Sequence, residues 1–400
     1  MLIPRTLLLL CLFGFNLFFG FTTQSMSNEL ERIRPEQKIF TAATFGPDGK
    51  LWRILPSQQS VSIDYSTDYG KTFSTPVRIH SADQSIHMWD ENPPSITIGQ
   101  KGEIYVLYFA DDKQSSTSFF SYSSDGIQFS TPAKISSAAD SWYHYQAEML
   151  LDTSDQVHFL WHDLRDRAEY KKQGGGDLSL YYTAVKTPSP DNLSEDKRVA
   201  KNICSCCRTA MDKDRDGSLI ILARFVYTNN IRDHGLLKIF PDQQISEPWR
   251  VTFDDWQIEG CPAHGPALSI SQDGRYHMVW FTQGEKRSGL FYASSDDQGK
   301  NFSSPTLIGD PEKFPGRADV LALNNEVALV WKVFDGIKTR IESCYSNDSG
   351  MHWSAVRTIA ESNTQSAHPA LITDGKQIFL SWNSLDRGYM LIPVKPAAIQ

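Results

Sequence analysis

The chain has 400 residues, more than one hydrophobic core usually organises, so several domains or a repeat architecture are expected. Its composition is that of an ordinary globular protein, 40% hydrophobic and 22% charged, with an aromatic share of 12% that favours strands. A net charge of −8 without any Lys/Arg run argues against a nucleic-acid backbone as partner.

The first segment, MLIPRTLLLLCLFGFNLFFGFTTQS, carries Arg5 and then an apolar run from Leu7 to Phe21. That length suits the core of an export signal and is short for a membrane span. Residues 1–25 are therefore expected to be an export signal, with an uncleaved N-terminal anchor as the alternative, and 26–400 a single folded domain. A secreted or periplasmic location follows from that reading. Five cysteines remain beyond the signal: Cys204, Cys206, Cys207, Cys261 and Cys344.

Seven short apolar strands are then predicted in chain order: KLWRIL, EIYVLY, QVHFLW, SLIILA, RYHMVW, EVALVW and QIFLSW. Their last residues are Leu55, Tyr108, Trp161, Ala223, Trp280, Trp331 and Trp382, spaced by 53, 53, 62, 57, 51 and 51 residues. Each repeat holds about four β-rich runs separated by turn residues, with almost no helical periodicity. Four-stranded units at a period near fifty predict an all-β fold, a β-propeller. Seven blades are expected, or six if the first and last repeats merge. The last repeat lacks an outermost strand, which RIRPEQKIF near Arg32 is expected to supply.

A second motif follows four of these strands: STDYGKTF from Ser66, SSDGIQF from Ser123, SSDDQGKNF from Ser294 and SNDSGMHW from Ser346. The pattern Ser-x-Asp-x-Gly-x-x-aromatic resembles the Asp box of bacterial sialidases and other BNR-repeat proteins, over residues 38 to 395. In a tight turn an Asp accepts neighbouring backbone N–H groups, and Gly supplies a positive φ. Asp68, Asp125, Asp297 and Asp348 are therefore expected to be structural, joining the two outer strands of a blade.

The loops that enter the first strand of each blade and those that leave the second gather charged and aromatic residues, expected to converge on one axial crevice. The resemblance implies a glycoside hydrolase of the exo-sialidase type: three arginines on a substrate carboxylate, a Glu-activated Tyr nucleophile and an Asp acid/base. Arg224, Arg317 and Arg387, with His264, are the candidates for substrate binding. Tyr145 with Glu148 are the candidate nucleophile and activator, and Asp163 the candidate acid/base. The chain departs from the family at two places. Lys38 stands where the first arginine is expected, and LPSQQ offers no carboxylate where the acid/base Asp is expected. The partner implied is a carbohydrate or glycoconjugate, bound by a monomer. The alternative is a non-catalytic extracytoplasmic propeller that binds or assembles with an envelope protein.

The stretches ICSCCRTAM and EGCPAHGPAL enter successive repeats, so Cys204, Cys206, Cys207, Cys261 and His264 are expected to meet. Two readings stand open. One is disulfide bracing, with Cys206 or Cys207 joined to Cys261, in a chain with no metal or other cofactor. The other is a copper or zinc site, since thiolate and imidazole suit both ions. DKDRDG from Asp212 reads as a turn between two blade strands rather than a calcium loop, because Ala223 stands where a twelfth-position Glu is needed.

Overall fold

The structure is a computed structural model describing residues 37–396, apart from 91, 112–115, 138–143, 153, 171–177, 186–192 and 261. The signal or anchor expected in residues 1–25 lies outside the described residues. Gln37–Gln400 forms one compact unit. Its strands make seven antiparallel sheets, each an up-and-down meander in chain order.

Blade 1 holds β1 (Ala42–Phe45), β2 (Leu51–Pro56), β3 (Val61–Ser66) and β4 (Val77–Arg78). Blade 2 holds β5 (Ser95–Ile98), β6 (Ile104–Asp111), β7 (Ser116–Ser123) and β8 (Ala133–Lys134). Blade 3 holds β9 (His144–Leu151), β10 (Val157–Asp163), β11 (Leu178–Val185) and β12 (Lys197–Ile203). Blade 4 runs through β13 (Ala210–Lys213), β14 (Leu219–Arg224), β15 (His234–Ile239) and β16 (Trp249–Arg250). Blade 5 comprises β17 (Ala267–Ile270), β18 (Tyr276–Gln283), β19 (Ser288–Ser295) and β20 (Thr306–Ile308). Blade 6 comprises β21 (Gly316–Leu323), β22 (Glu326–Phe334), β23 (Thr339–Ser346) and β24 (Arg357–Ser362). Blade 7 has three strands, β25 (Ala370–Thr373), β26 (Ile378–Ser384) and β27 (Gly388–Pro393).

This is the seven-bladed propeller expected, with one correction at its closure. Gln37–Phe40, the end of the segment expected as the missing outer strand, is a 3-10 turn packed on β2, β26 and β27. Residues 32–36 of that segment lie outside the described residues. Blade 7 instead meets blade 1 through rings: Phe45 lies 5.5 Å from Phe379, and Phe73 sits edge-on to Tyr389 at 5.9 Å.

The second strand of each blade has both faces covered by neighbouring blades, so it reads as an unbroken apolar run rather than an alternating one. Every residue of β10, β14 and β26 is buried. Hydrophobic clusters join consecutive blades, blade 1 to blade 2 around Ile54 and Val106, and so on to blades 6 and 7 around Val330 and Leu380. Trp161, Trp280, Trp331 and Trp382, all buried, occupy equivalent places near the ends of second strands. Each indole N–H finds an acceptor, respectively Asp163, Asp254, Glu342 and the Ala367 carbonyl.

The first strands surround the axis, and polar side chains stitch them together. The Asn92 side chain, just before β5, accepts the Gln146 N–H at 2.6 Å. Asp212 on β13 accepts the Ile270 N–H at 2.6 Å, Ser269 on β17 accepts the Ala322 N–H at 3.0 Å, and Asp319 on β21 accepts the Leu371 N–H at 2.8 Å. Glu148 on β9 accepts from Met211 N–H and from the Thr209 hydroxyl, the latter at 3.1 Å. Apart from the Thr209 hydroxyl, each donor is a main-chain amide that finds its acceptor on the neighbouring blade.

Candidate functional site

The Asp boxes lie between third and fourth strands, the outer pair of a blade. In the first, Ser66 donates to Asp68 at 2.7 Å and accepts from Gly70 N–H at 2.8 Å, while Asp68 accepts from Thr72 N–H at 2.9 Å. Asp297 and Asp348 repeat this pattern with Asn301 and His352, and Asp125, in the box one residue shorter, accepts from Ile127 and Gln128. The Thr72 hydroxyl and N–H hold the Asp68 carboxyl down to about 2. Phe73 and Trp353 pack against Tyr389 and Tyr292 respectively. The carboxylate of each of these four box aspartates is committed to its own loop.

The axial end where chains enter first strands is different. Asp90 pairs with His368 at 3.5 Å, joining the entries to blades 2 and 7. Burial raises the Asp90 carboxyl, but the hydrogen bond and charge of His368, with Lys332 and Arg317 nearby, bring it below its ordinary value. Lys332 donates to the Ser366 carbonyl at 2.8 Å. Burial holds His264 down to about 3, and the charges of Arg317, Arg224, His368 and Arg208 act in the same direction. His264 is therefore a neutral ring at neutral pH, stacked on Phe281 at 4.2 Å. Trp89 adds an aromatic wall, 5.6 Å from Phe109 and 6.0 Å from Tyr145. This end thus combines guanidinium and ammonium groups with partly buried aromatic rings around a partly exposed Asp90.

Among the entry residues, Gln146 at 50°, Ala263 at 51°, Phe314 at 50° and Arg317 at 56° carry positive φ. Non-glycine residues adopt this region at a cost, and such strain gathers at ligand sites. At β9 and β21 it coincides with shifts in strand register, which re-aim the side chains that follow. Gly316 lets the chain pass His264, since a Cβ there would lie 2.7 Å from Cε1 of that ring.

Of the expected site residues, Arg317, His264, Tyr145 and Glu148 are on the entry loops or first strands that form this end. Tyr145 donates its hydroxyl to the Ser205 carbonyl at 2.6 Å. Glu148 is bonded to Thr209 near Arg208, and burial lifts its carboxyl to about 7. Arg224 is fully buried, and its fork donates to the carbonyls of Arg232, His264 and Phe281 at 2.7 to 3.0 Å. Asp163 is also fully buried and is bound by Arg165 and the Trp161 indole. Arg387 is exposed and turns back to the Glu361 carbonyl at 3.4 Å. Arg224 thus adjoins the site only from behind His264, while Asp163 and Arg387 have their bonding partners elsewhere. Trp89, Arg208 and Lys332 join the site without having been singled out by the sequence.

Beside the crevice, Cys204, Cys206 and Cys207 place their sulfurs within 4.8 Å of one another. Cys204 and Cys207 are free thiols, which corrects the expectation that both take part in disulfides. Their sulfurs lie 3.6 Å apart, in hydrogen-bond contact and not joined by a disulfide. Cys206 is not a free thiol, and Cys261, its expected partner, lies outside the described residues. Cys344 is buried and free within blade 6.

No family model and no curated relative matches the chain. Solved structures do share its architecture. A polysaccharide lyase, PL25 ulvan lyase, superposes with a TM-score of 0.57 at 10% identity, over 90% of this chain and 93% of its own. The BP39L lectin from Burkholderia pseudomallei gives 0.60 at 11% identity, over 89% and 98%. Hadza microbial sialidase Hz136 gives 0.51 at 14% identity, over 86% and 75%. At such identities the likeness establishes the fold.

Proposed function

We propose that this chain is a glycan-binding propeller that holds an acidic sugar in its axial crevice. The observation that carries the reading is the grouping of Arg317, Lys332 and His368 about Asp90, with the Trp89 and Tyr145 rings alongside. A guanidinium fork recognises a carboxylate or sulfate, and aromatic faces cover the apolar side of a sugar ring. Neighbours named for ulvan cleavage, lectin activity and sialidase activity support a carbohydrate ligand for the scaffold. The Asp boxes support the sialidase-like branch, and the apolar run Leu7 to Phe21 supports an exported chain.

Hydrolysis of the exo-sialidase type is the finer form of this proposal. Its support is Glu148, whose raised carboxyl suits proton transfer near neutrality, three residues from Tyr145 on the same bulged strand. Calorimetric titration of the purified chain with sialyllactose, a glucuronate-bearing oligosaccharide and neutral lactose tests the ligand class. Binding of an acidic sugar, weakened about tenfold or more by Arg317→Ala, is expected. Equal binding of lactose, or none of any sugar, overturns the reading. An aryl sialoside given to the same samples tests turnover separately.

A further inference from the structure

We propose that the reduced chain binds one Cu(I) ion through Cys204, Cys206 and Cys207. The inference stands on the sulfur geometry and does not depend on the sugar site. The three sulfurs form a nearly equilateral triangle with edges of 3.6 Å between Cys204 and Cys207, 3.8 Å between Cys204 and Cys206, and 4.0 Å between Cys206 and Cys207. Thiolates about 2.3 Å from a common metal stand roughly 3.8 Å apart in a tetrahedral face and about 4.0 Å apart in a plane. The backbone already supplies the spacing that such an ion needs.

The donors around these sulfurs suit thiolates rather than thiols. Ala263 N–H points at the Cys206 sulfur from 3.3 Å, and Arg232 Nη1 lies 3.4 Å from the Cys204 sulfur. Arg224 is pinned beside the cluster, its carbonyl accepting Cys204 N–H at 2.9 Å. Three thiolates around a monovalent ion sum to two negative charges, which these two arginines balance. A divalent ion would leave uncompensated positive charge in a buried place. Soft thiolate donors and a three-coordinate arrangement both select Cu(I) over Zn(II). Because Cys206 is not a free thiol in this structure, its sulfur joins the site only in the reduced chain, so loading requires a reductant.

The test is an anaerobic titration of the full chain, reduced with a phosphine, with Cu(I) held by a chromogenic chelator. Zn(II) serves in a parallel arm. Native mass spectrometry gives the stoichiometry. One Cu(I) per chain is expected, retained against a large excess of Zn(II), absent without reductant, and lost from Cys204→Ser and Cys207→Ser but not from Cys344→Ser. Alkylation mapping on the wild-type chain adds a readout independent of variant folding: Cu(I) should protect Cys204, Cys206 and Cys207 together. Zn(II) binding in preference to Cu(I), binding unchanged in the Cys207 variant, or alkylation of the three cysteines unaffected by Cu(I) would each overturn the proposal.

Discussion

Glu148 shows how one residue serves the scaffold and bears on chemistry at once. Its carboxyl accepts from Thr209 and Met211 of the next blade, yet burial lifts it to about 7 against an ordinary 4.5. An unfolded chain therefore releases this proton at lower pH than the folded one. Below pH 4.5 both states are protonated and the group has no effect. As pH rises from 4.5 to about 7 the folded state binds the extra proton, and stability falls by roughly 3 kcal/mol from this group, then levels off. Glu148→Gln keeps an acceptor oxygen and removes the titration. Urea unfolding across pH 4.5 to 8 should show that slope in the native chain and its loss in the variant, which should be the more stable above pH 7 by about 1 to 3 kcal/mol. An identical slope in both would place its source elsewhere.

The outer hairpins depend on glycines whose demands differ although their backbones match. Gly70 and Gly350 take φ of 80° and 81° in equivalent boxes. A Cβ on Gly70 would meet Leu51 and Phe73 at an ordinary 3.5 Å, whereas on Gly350 it would lie 2.0 Å from the Tyr292 hydroxyl oxygen. That hydroxyl is held by His277 Nδ1 at 2.7 Å and cannot simply swing away. Gly70→Ala should therefore cost about 1 kcal/mol, the left-handed penalty alone, and Gly350→Ala about 3 kcal/mol, with the clash added. Equal urea midpoints would contradict this account. These boxes and the second strands were readable in the sequence, because each is set by contacts within one hairpin or by burial on both faces. The crevice was readable only in part. Arg317 and His264 stood out as charged entry residues, but Trp89, Arg208 and Lys332 did not. Which side chains face the axis depends on bulges at Gln146 and Arg317, and no local pattern announces those shifts of register. Arg224 misleads for a related reason: its place at the end of β14 is right, but three carbonyls from separate segments take its donors.

Across the whole molecule, the inner-strand bonds run with one sense. Asn92, Glu148, Asp212, Ser269 and Asp319 each accept an N–H from the blade that follows. These bonds run from blade 2 round to blade 7; at the junction of blades 7 and 1 the Asn383 amide instead donates to the Thr41 carbonyl at a long 3.4 Å. Hydrogen exchange should follow that difference. Amides of Gln146, Ile270, Ala322 and Leu371 are expected among the slowest inner-strand groups, and those of β1 among the fastest. Uniform exchange around the ring would count against it. The polarity also gives the circle a beginning and an end, much as a clasp does to a bracelet. The Asp90–His368 pair reaches over blade 1 from blade 2 to blade 7, spanning that clasp from the inside. A guest held there would touch groups on both sides of that junction, so recognition at the hub and closure of the rim would become one equilibrium, each reporting on the other.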